Sequence, residues 1–164
     1  AAKCGGNYAA SLIAQAEASA HGCDQVVFLD AAERRWVEEL GGMNVFFVFK
    51  DGSVITPPLT GTILPGITRK SLMQLASDAG TAIEERPYAF DQWQADAASG
   101  HLVEAFACGT AAVVAGIGKV RHDGGEFLIG DGQTGPVTRR LREALVSLQR
   151  GQSNDPYGWV RTIG

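Results

Sequence analysis

Hydrophobic positions along the chain fall into short alternating or continuous runs broken by polar, glycine-rich stretches, with longer segments of helical character between them. Residues 8–20 are rich in Ala, Leu, Gln and Glu without an internal Gly or Pro, and Gly22 follows as a stop, so the segment predicts a helix. Three β-branched or aromatic runs, 25–30, 36–39 and 45–50, are separated by turn-rich stretches and predict strands. Asp51-Gly52 supplies a hairpin turn into a strand over 53–56, which Pro57-Pro58 ends. Leu64-Pro65-Gly66 leads into a second amphipathic helix over 67–79, closed by Gly80. A strand over 81–86, a short helix over 90–98 started by Asp91, and a strand over 101–107 follow, and then the turn Cys108-Gly109-Thr110-Ala111. Residues 113–120 and 126–129 read as a hairpin around Asp123-Gly124-Gly125, and 135–150 as a last helix with Pro136 in its first turn. The tail over 151–164 holds Tyr157 and Trp159, which are expected to pack back onto the body. Hairpins with interspersed helices, rather than regular βαβ alternation, predict an α/β or α+β domain.

Composition narrows this further. A length of 164 residues, 45% of them hydrophobic, suits a single domain with one core. The formal net charge of −4, with no run of Lys or Arg longer than two, argues against nucleic acid as a partner. No apolar run has the length of a membrane span and the first ten residues lack the pattern of a signal peptide, so a soluble, cytoplasmic protein is expected. Cys4, Cys23 and Cys108 are an odd number without CxxC spacing, and His21, His101 and His122 are scattered, so neither disulfides nor a metal site is expected. The chain opens on Ala rather than Met and runs at once into a dense motif, so it reads as part of a longer protein.

That motif is Lys3-Cys4-Gly5-Gly6-Asn7-Tyr8, which puts an amine, two glycines and a phenol just before a helix. An amine that condenses with an aldehyde needs its neutral form, and glycines let backbone approach a flat cofactor. A lysine near a terminus is otherwise an ordinary solvated residue. Glu38 and Glu39 are neighbours on a predicted strand, so their side chains point to opposite faces. A helix start at Ile67 and Thr68 after Gly66 offers free N–H groups to an anion, although Pro-Gly before a helix is also an ordinary boundary.

The motif from Lys3 to Tyr8 resembles the lysine and Gly-Asn-Tyr pattern of the branched-chain amino acid aminotransferases, which are pyridoxal 5′-phosphate (PLP) enzymes of fold type IV. The resemblance continues through Trp36-Val37-Glu38-Glu39-Leu40-Gly41-Gly42-Met43-Asn44, Leu64-Pro65-Gly66-Ile67-Thr68-Arg69, Phe106-Ala107-Cys108-Gly109-Thr110-Ala111 and Gly135-Pro136. It implies that residues 1–164 are the PLP-binding large domain, with mixed, largely antiparallel sheets in a pseudo-barrel flanked by helices. Lys3 would then form the Schiff base to PLP and move the substrate proton. Tyr8 would hydrogen-bond the phenolic oxygen and Glu39, chosen over Glu38, would pair with the pyridine nitrogen. Ile67, Thr68 and Thr110 would hold the phosphate, with Gly66 allowing its close approach, and the Ala111 N–H would hold the substrate carboxylate. Arg69 could support the phosphate loop or be a plain first-turn residue, and Cys108 could be redox-sensitive or simply small and buried. A redox CxxC pair known in mammalian relatives is not expected, because Ala112 and Ala115 stand at those positions.

The implied reaction is transfer of the amino group of L-leucine, L-isoleucine or L-valine to 2-oxoglutarate, in a homodimer. D-amino acid aminotransferases and aminodeoxychorismate lyases share the fold and are the alternatives. Family enzymes also carry a smaller N-terminal domain that supplies an arginine to the phosphate. The other alternative is therefore a folded but inactive isolated domain.

Overall fold

The structure is a computed structural model and describes Gly6, residues 9–161 and Ile163. In chain order the elements are α1 (Ala9–Ala20), β1 (Val27–Leu29), β2 (Val37–Leu40), β3 (Asn44–Phe49), β4 (Val54–Thr56), α2 (Ile67–Asp78), β5 (Ile83–Glu85), α3 (Phe90–Ser99), β6 (Leu102–Gly109), β7 (Val113–Gly116), β8 (Lys119–His122), β9 (Gly125–Leu128) and α4 (Pro136–Gln149). The mixed, largely antiparallel α/β architecture expected from the sequence is borne out. Among the described residues a five-stranded sheet, ordered β5-β4-β3-β6-β7, is accompanied by the two-stranded ribbons β1-β2 and β8-β9. Of these pairings β4 with β5 is parallel, because α2 carries the chain across between them.

The run Asn44-Val45-Phe46-Phe47-Val48-Phe49, apolar after its first residue, becomes the central strand, buried at every position because both faces of the sheet are covered. Strand periodicity sends Val45, Phe47 and Phe49 to one face, where they meet Tyr88, Trp93, Val120 and Ile129. Phe46 and Val48 go to the other, against Leu72 and Ala76 of α2 and Leu141 and Leu145 of α4. Phe46 and Phe106 are direct cross-strand partners, stacked at 4.9 Å. Such a pair adds about 0.5–1.5 kcal/mol beyond its buried area.

Two turns explain why the strands join where they do. Leu40 and Met43 exchange both backbone hydrogen bonds at 2.8 Å across Gly41-Gly42, whose φ values of 56° and 90° are those of a two-residue hairpin that demands glycine-like backbone. Asp51-Gly52 closes β3 onto β4 as expected, with Asp51 Oδ1 accepting from Ser53 N at 2.9 Å.

Three local expectations are corrected. The strand expected over 113–120 is two strands: β7 completes the large sheet against β6, and only β8 forms the hairpin with β9. The break lies at Gly116-Ile117-Gly118, where a Cβ on Gly118 would fall 2.1 Å from the Gly132 carbonyl oxygen, so the chain leaves the sheet through a passage too tight for a side chain. Asp91 does not start α3. Ala89 is the N-cap, without a side-chain bond, and Asp91 sits inside the first turn, where its charge still complements the helix dipole. The strands flanking residues 30–36 are trimmed because Asp30 turns the chain, accepting from the N–H groups of Glu33, Arg35 and Trp36. In the tail, Tyr157 stacks on Trp159 at 4.2 Å and donates its hydroxyl hydrogen bond to Asp78 at the end of α2, as packing back onto the body requires.

Candidate functional site

Lys3 and Tyr8, the two residues at the head of the expected site, lie outside the described residues. The others belong to β2, the start of α2 and the β6–β7 turn.

Glu38 and Glu39 separate as strand geometry demands. Glu38 Oε1 accepts a 2.6 Å hydrogen bond from Thr62 Oγ1 and faces a groove of about 230 Å³ that Trp36, Pro58 and Ile63 also line. Glu39, half-buried and in register with Phe28 of β1, is the next residue along the strand and therefore belongs to the other face.

The first turn of α2 has the properties an anion needs. Gly66 is its N-cap in extended conformation, no side chain among the described residues caps it, and no acidic residue occupies the first turn. The leading N–H groups have no intrahelical acceptor by the geometry of any helix start. The start of α4 is different. There Glu104, buried in β6, accepts from Val137 N at 2.9 Å, Thr138 N at 2.8 Å and Thr138 Oγ1 at 2.7 Å. One helix start is closed by a carboxylate of the chain itself, while the other carries donors compatible with an external phosphate.

The loop before α2 is held from two sides. Asn44, the first residue of β3 and only 6% exposed, donates from Nδ2 to the Leu64 carbonyl at 3.0 Å. A Cβ on Gly66 would lie 2.3 Å from Asn44 Oδ1. A side chain at Gly66 would therefore have to displace the Asn44 amide, a local demand for glycine independent of any phosphate. Arg69, buried at 4% exposure, donates from Nη2 to the Pro57 carbonyl at 3.1 Å and to Glu85 Oε2 at 2.8 Å. It is an interior brace between α2, the Pro57 turn and β5, not a plain first-turn residue.

Thr110 and Ala111 are exposed in the β6–β7 turn, which ends at Val113 with a positive φ of 57°, a strained value for a β-branched residue. Gly109 sits over Met43, where an added Cβ would approach Met43 Cγ at 3.2 Å. Because Asn44 pairs with Cys108 across β3 and β6, the turn, the Gly41-Gly42 hairpin and the loop before α2 meet at one end of the central sheet. A groove of about 370 Å³ runs along α2 on the side of Leu59 and Glu85, lined by Pro65, Gly66, Ile67 and Lys70 among others and by no residue of the β6–β7 turn.

Cys108 is fully buried, and desolvation pushes its thiol up to about 12 despite the opposing influence of the Arg69 charge. It packs as a small apolar residue whose thiol stays protonated. His101 rests on Phe49, and His122 lies between Phe90 and Phe127. Among the described residues no group of three or more His, Cys, Asp or Glu could hold a metal ion, and no helix is long and apolar enough to cross a membrane. Asn44 and Arg69 carried no assigned role in the sequence reading, or only a divided one. A polar residue opening an otherwise apolar run was the available signal for Asn44; for Arg69 there was none beyond its motif.

The family model described as amino-transferase class IV matches residues 3–120. Branched-chain-amino-acid aminotransferases of Mycobacterium tuberculosis and Mycolicibacterium smegmatis are each 58% identical, over 100% and 99% of this chain and 45% of their own length. The branched-chain amino acid aminotransferase from Escherichia coli superposes with a TM-score of 0.80 at 38% identity, over 97% of this chain and 50% of that one. A branched-chain aminotransferase from the thermophilic archaeon Thermoproteus uzoniensis, solved with norvaline, superposes with a TM-score of 0.75 at 34% identity, over 92% of this chain and 46% of that one. The chain thus spans about half the length of the relatives it matches. A match across most of the chain, including the lysine motif, the hairpin, the helix start and the β6–β7 turn, places it in the amino-transferase class IV family.

Proposed function

We propose that residues 1–164 form the cofactor-bearing large domain of a cytoplasmic, homodimeric branched-chain amino acid aminotransferase, which moves the amino group of L-leucine, L-isoleucine or L-valine to 2-oxoglutarate. One observation carries the reading: an uncapped helix start and an exposed Thr110-Ala111 turn meet at one end of the sheet, tied together through Asn44. The donor set suits PLP because, among the described residues, no side chain caps the first turn of α2, and that turn holds no carboxylate. PLP, when bound, supplies an electron sink for the carbanion that develops at the substrate Cα.

The residues of the chain would do the rest. Ile67 and Thr68 would present N–H groups to the phosphate, and the Thr110 hydroxyl would add a further donor. Glu39 keeps a proton on the ring nitrogen, and Tyr8 donates to the phenolic oxygen. Lys3 holds the cofactor covalently and carries the proton to and from the substrate Cα, while the Ala111 N–H orients the substrate carboxylate. The relatives named branched-chain-amino-acid aminotransferases at 58% identity support this substrate class over D-amino acids.

Borohydride reduction after addition of PLP tests the reading. The expected result is a covalent PLP adduct on the peptide containing Lys3, absent from Lys3→Ala. No adduct on that peptide removes the proposal. In the full-length protein, turnover of D-alanine without L-leucine would shift the substrate assignment. Because this chain corresponds to 45% of its relatives' length, the isolated domain is expected to take the adduct without sustaining transamination.

A further inference from the structure

We propose that Asn44 is a positioning residue that fixes the start of α2 against the β6–β7 turn, so that Ile67, Thr68 and Thr110 address the same phosphate. The inference rests on the phosphate site of the preceding reading and adds the part that sets its dimensions.

Asn44 touches both halves of that site without belonging to either. Its backbone is paired with Cys108, one residue before Gly109 and two before Thr110. Its side chain reaches in another direction, donating from Nδ2 to the carbonyl of Leu64, two residues before the N-cap of α2. The neighbouring Met43 packs over Gly109 and ties the same hairpin to the turn by a second contact. Arg69 secures the helix start from the far side, and its hydrogen bonds run to the Pro57 carbonyl and Glu85 rather than to β6.

The chemistry of the residue matters as well as its place. A buried amide is unfavourable unless its donors and acceptors are used, and an apolar side chain of equal size would leave the Leu64 carbonyl without this donor. The fit at Gly66 is equally close: its φ of −67° and ψ of 135° suit any residue, so what a side chain there would have to displace is the Asn44 amide, whose Oδ1 lies 2.3 Å from the added Cβ. Asn44 and Gly66 therefore act as a lock and its seat, and disturbing either should shift the N–H groups of Ile67 and Thr68 relative to Thr110.

Affinity of the chain for inorganic phosphate and for PLP, measured by titration calorimetry, tests this alongside borohydride trapping of pyridoxal, which lacks the phosphate; Lys3→Ala sets the trapping background. Asn44→Ala should weaken phosphate and PLP by about ten-fold or more, the loss expected for one hydrogen bond that holds a binding loop, while pyridoxal trapping on Lys3 is unchanged. Gly66→Ala should give a similar loss alone and no further loss when combined with Asn44→Ala, because both act through one contact. Wild-type phosphate affinity in Asn44→Ala overturns the inference. So does a parallel loss of pyridoxal trapping, which would signal general disruption, or full additivity of the two substitutions. If the unsubstituted chain binds neither phosphate nor PLP, the phosphate site itself is wrong and the inference goes with it.

Discussion

Glu104→Gln isolates what a buried carboxylate does for the end of α4. In the native chain this carboxylate accepts from two backbone N–H groups and one hydroxyl, all from Val137 and Thr138. Glutamine keeps the shape but replaces one acceptor with an NH₂ group. The amide can turn so that its oxygen serves Thr138 N while the Thr138 hydroxyl adjusts, which leaves the Val137 N–H facing a donor. An orphaned buried N–H costs about 1–3 kcal/mol. Loss of a negative charge at a helix N-terminus adds about 0.3–1 kcal/mol, and up to about 2 in a partly buried site. Relief of the carboxylate's desolvation works in the opposite direction and keeps the sum near the lower end. The net expectation is a loss of about 2 kcal/mol. For a domain of this size that corresponds to a fall in Tm of roughly 4–8 °C.

Glu104→Ala removes all three bonds and opens a cavity, so it should cost about 3–5 kcal/mol. Gly135→Ala attacks the same contact from the other side, because its Cβ would lie 2.0 Å from Glu104 Cδ. Thermal and urea unfolding followed by circular dichroism provide the assay. A Glu104→Gln variant within about 1 °C of the unsubstituted protein, or above it, refutes the reasoning. It would mean that the desolvation of the carboxylate outweighs everything the carboxylate gives to the helix.

Phe46→Ala should destabilise by about 3–5 kcal/mol, since it empties one half of a stacked pair in the fully buried central strand; a loss below about 1 kcal/mol in urea denaturation would contradict the packing. Asp30 is held near pKa 2, below its ordinary 3.8, chiefly by the N–H groups of Glu33, Arg35 and Trp36. Its contribution is thus present above about pH 4 and lost as pH falls toward 2, so the stability gap between the unsubstituted protein and Asp30→Asn should close across that window, and a gap independent of pH would refute the assignment. Cys108, at about 12, is almost wholly protonated at about pH 8, so a thiolate-specific alkylating reagent should label the half-buried Cys23 in the native state and Cys108 only after unfolding, as read by peptide mass spectrometry.

What could be read from the sequence, and what could not, follows the range of the interactions involved. The central strand was legible over 45–50 because Val45 to Phe49 are consecutive β-branched or aromatic residues, and the Asp51-Gly52 turn was legible because its geometry is settled by two neighbours. The separation of Glu38 from Glu39 needed only the two-residue period of a strand, and the Thr62 hydroxyl on Glu38 agrees with it. The expected strand over 113–120 failed for the converse reason. Nothing local says that Gly118 must pass beside the Gly132 carbonyl, and that passage is what divides β7 from β8.

The two residues with most influence on helix starts were the least visible, and for the same cause. Asn44 finds its partner 20 residues away and Glu104 finds Val137 33 residues away, so neither bond leaves a trace in a short window of sequence. Together they show a division of labour between two chemically equivalent ends. Every helix start offers unsatisfied N–H groups. At α4 the chain supplies its own acceptor, and the end is spent on stability. At α2 the polar side chain is directed one turn earlier, to the Leu64 carbonyl, so the preceding loop is fixed while no side chain among the described residues caps the helix. A carboxylate acting on α2 as Glu104 acts on α4 would stabilise the helix and compete with any anion brought there. An amide carries no charge, so Asn44 can hold the loop without that competition, which makes position and donor capacity separable at this helix start.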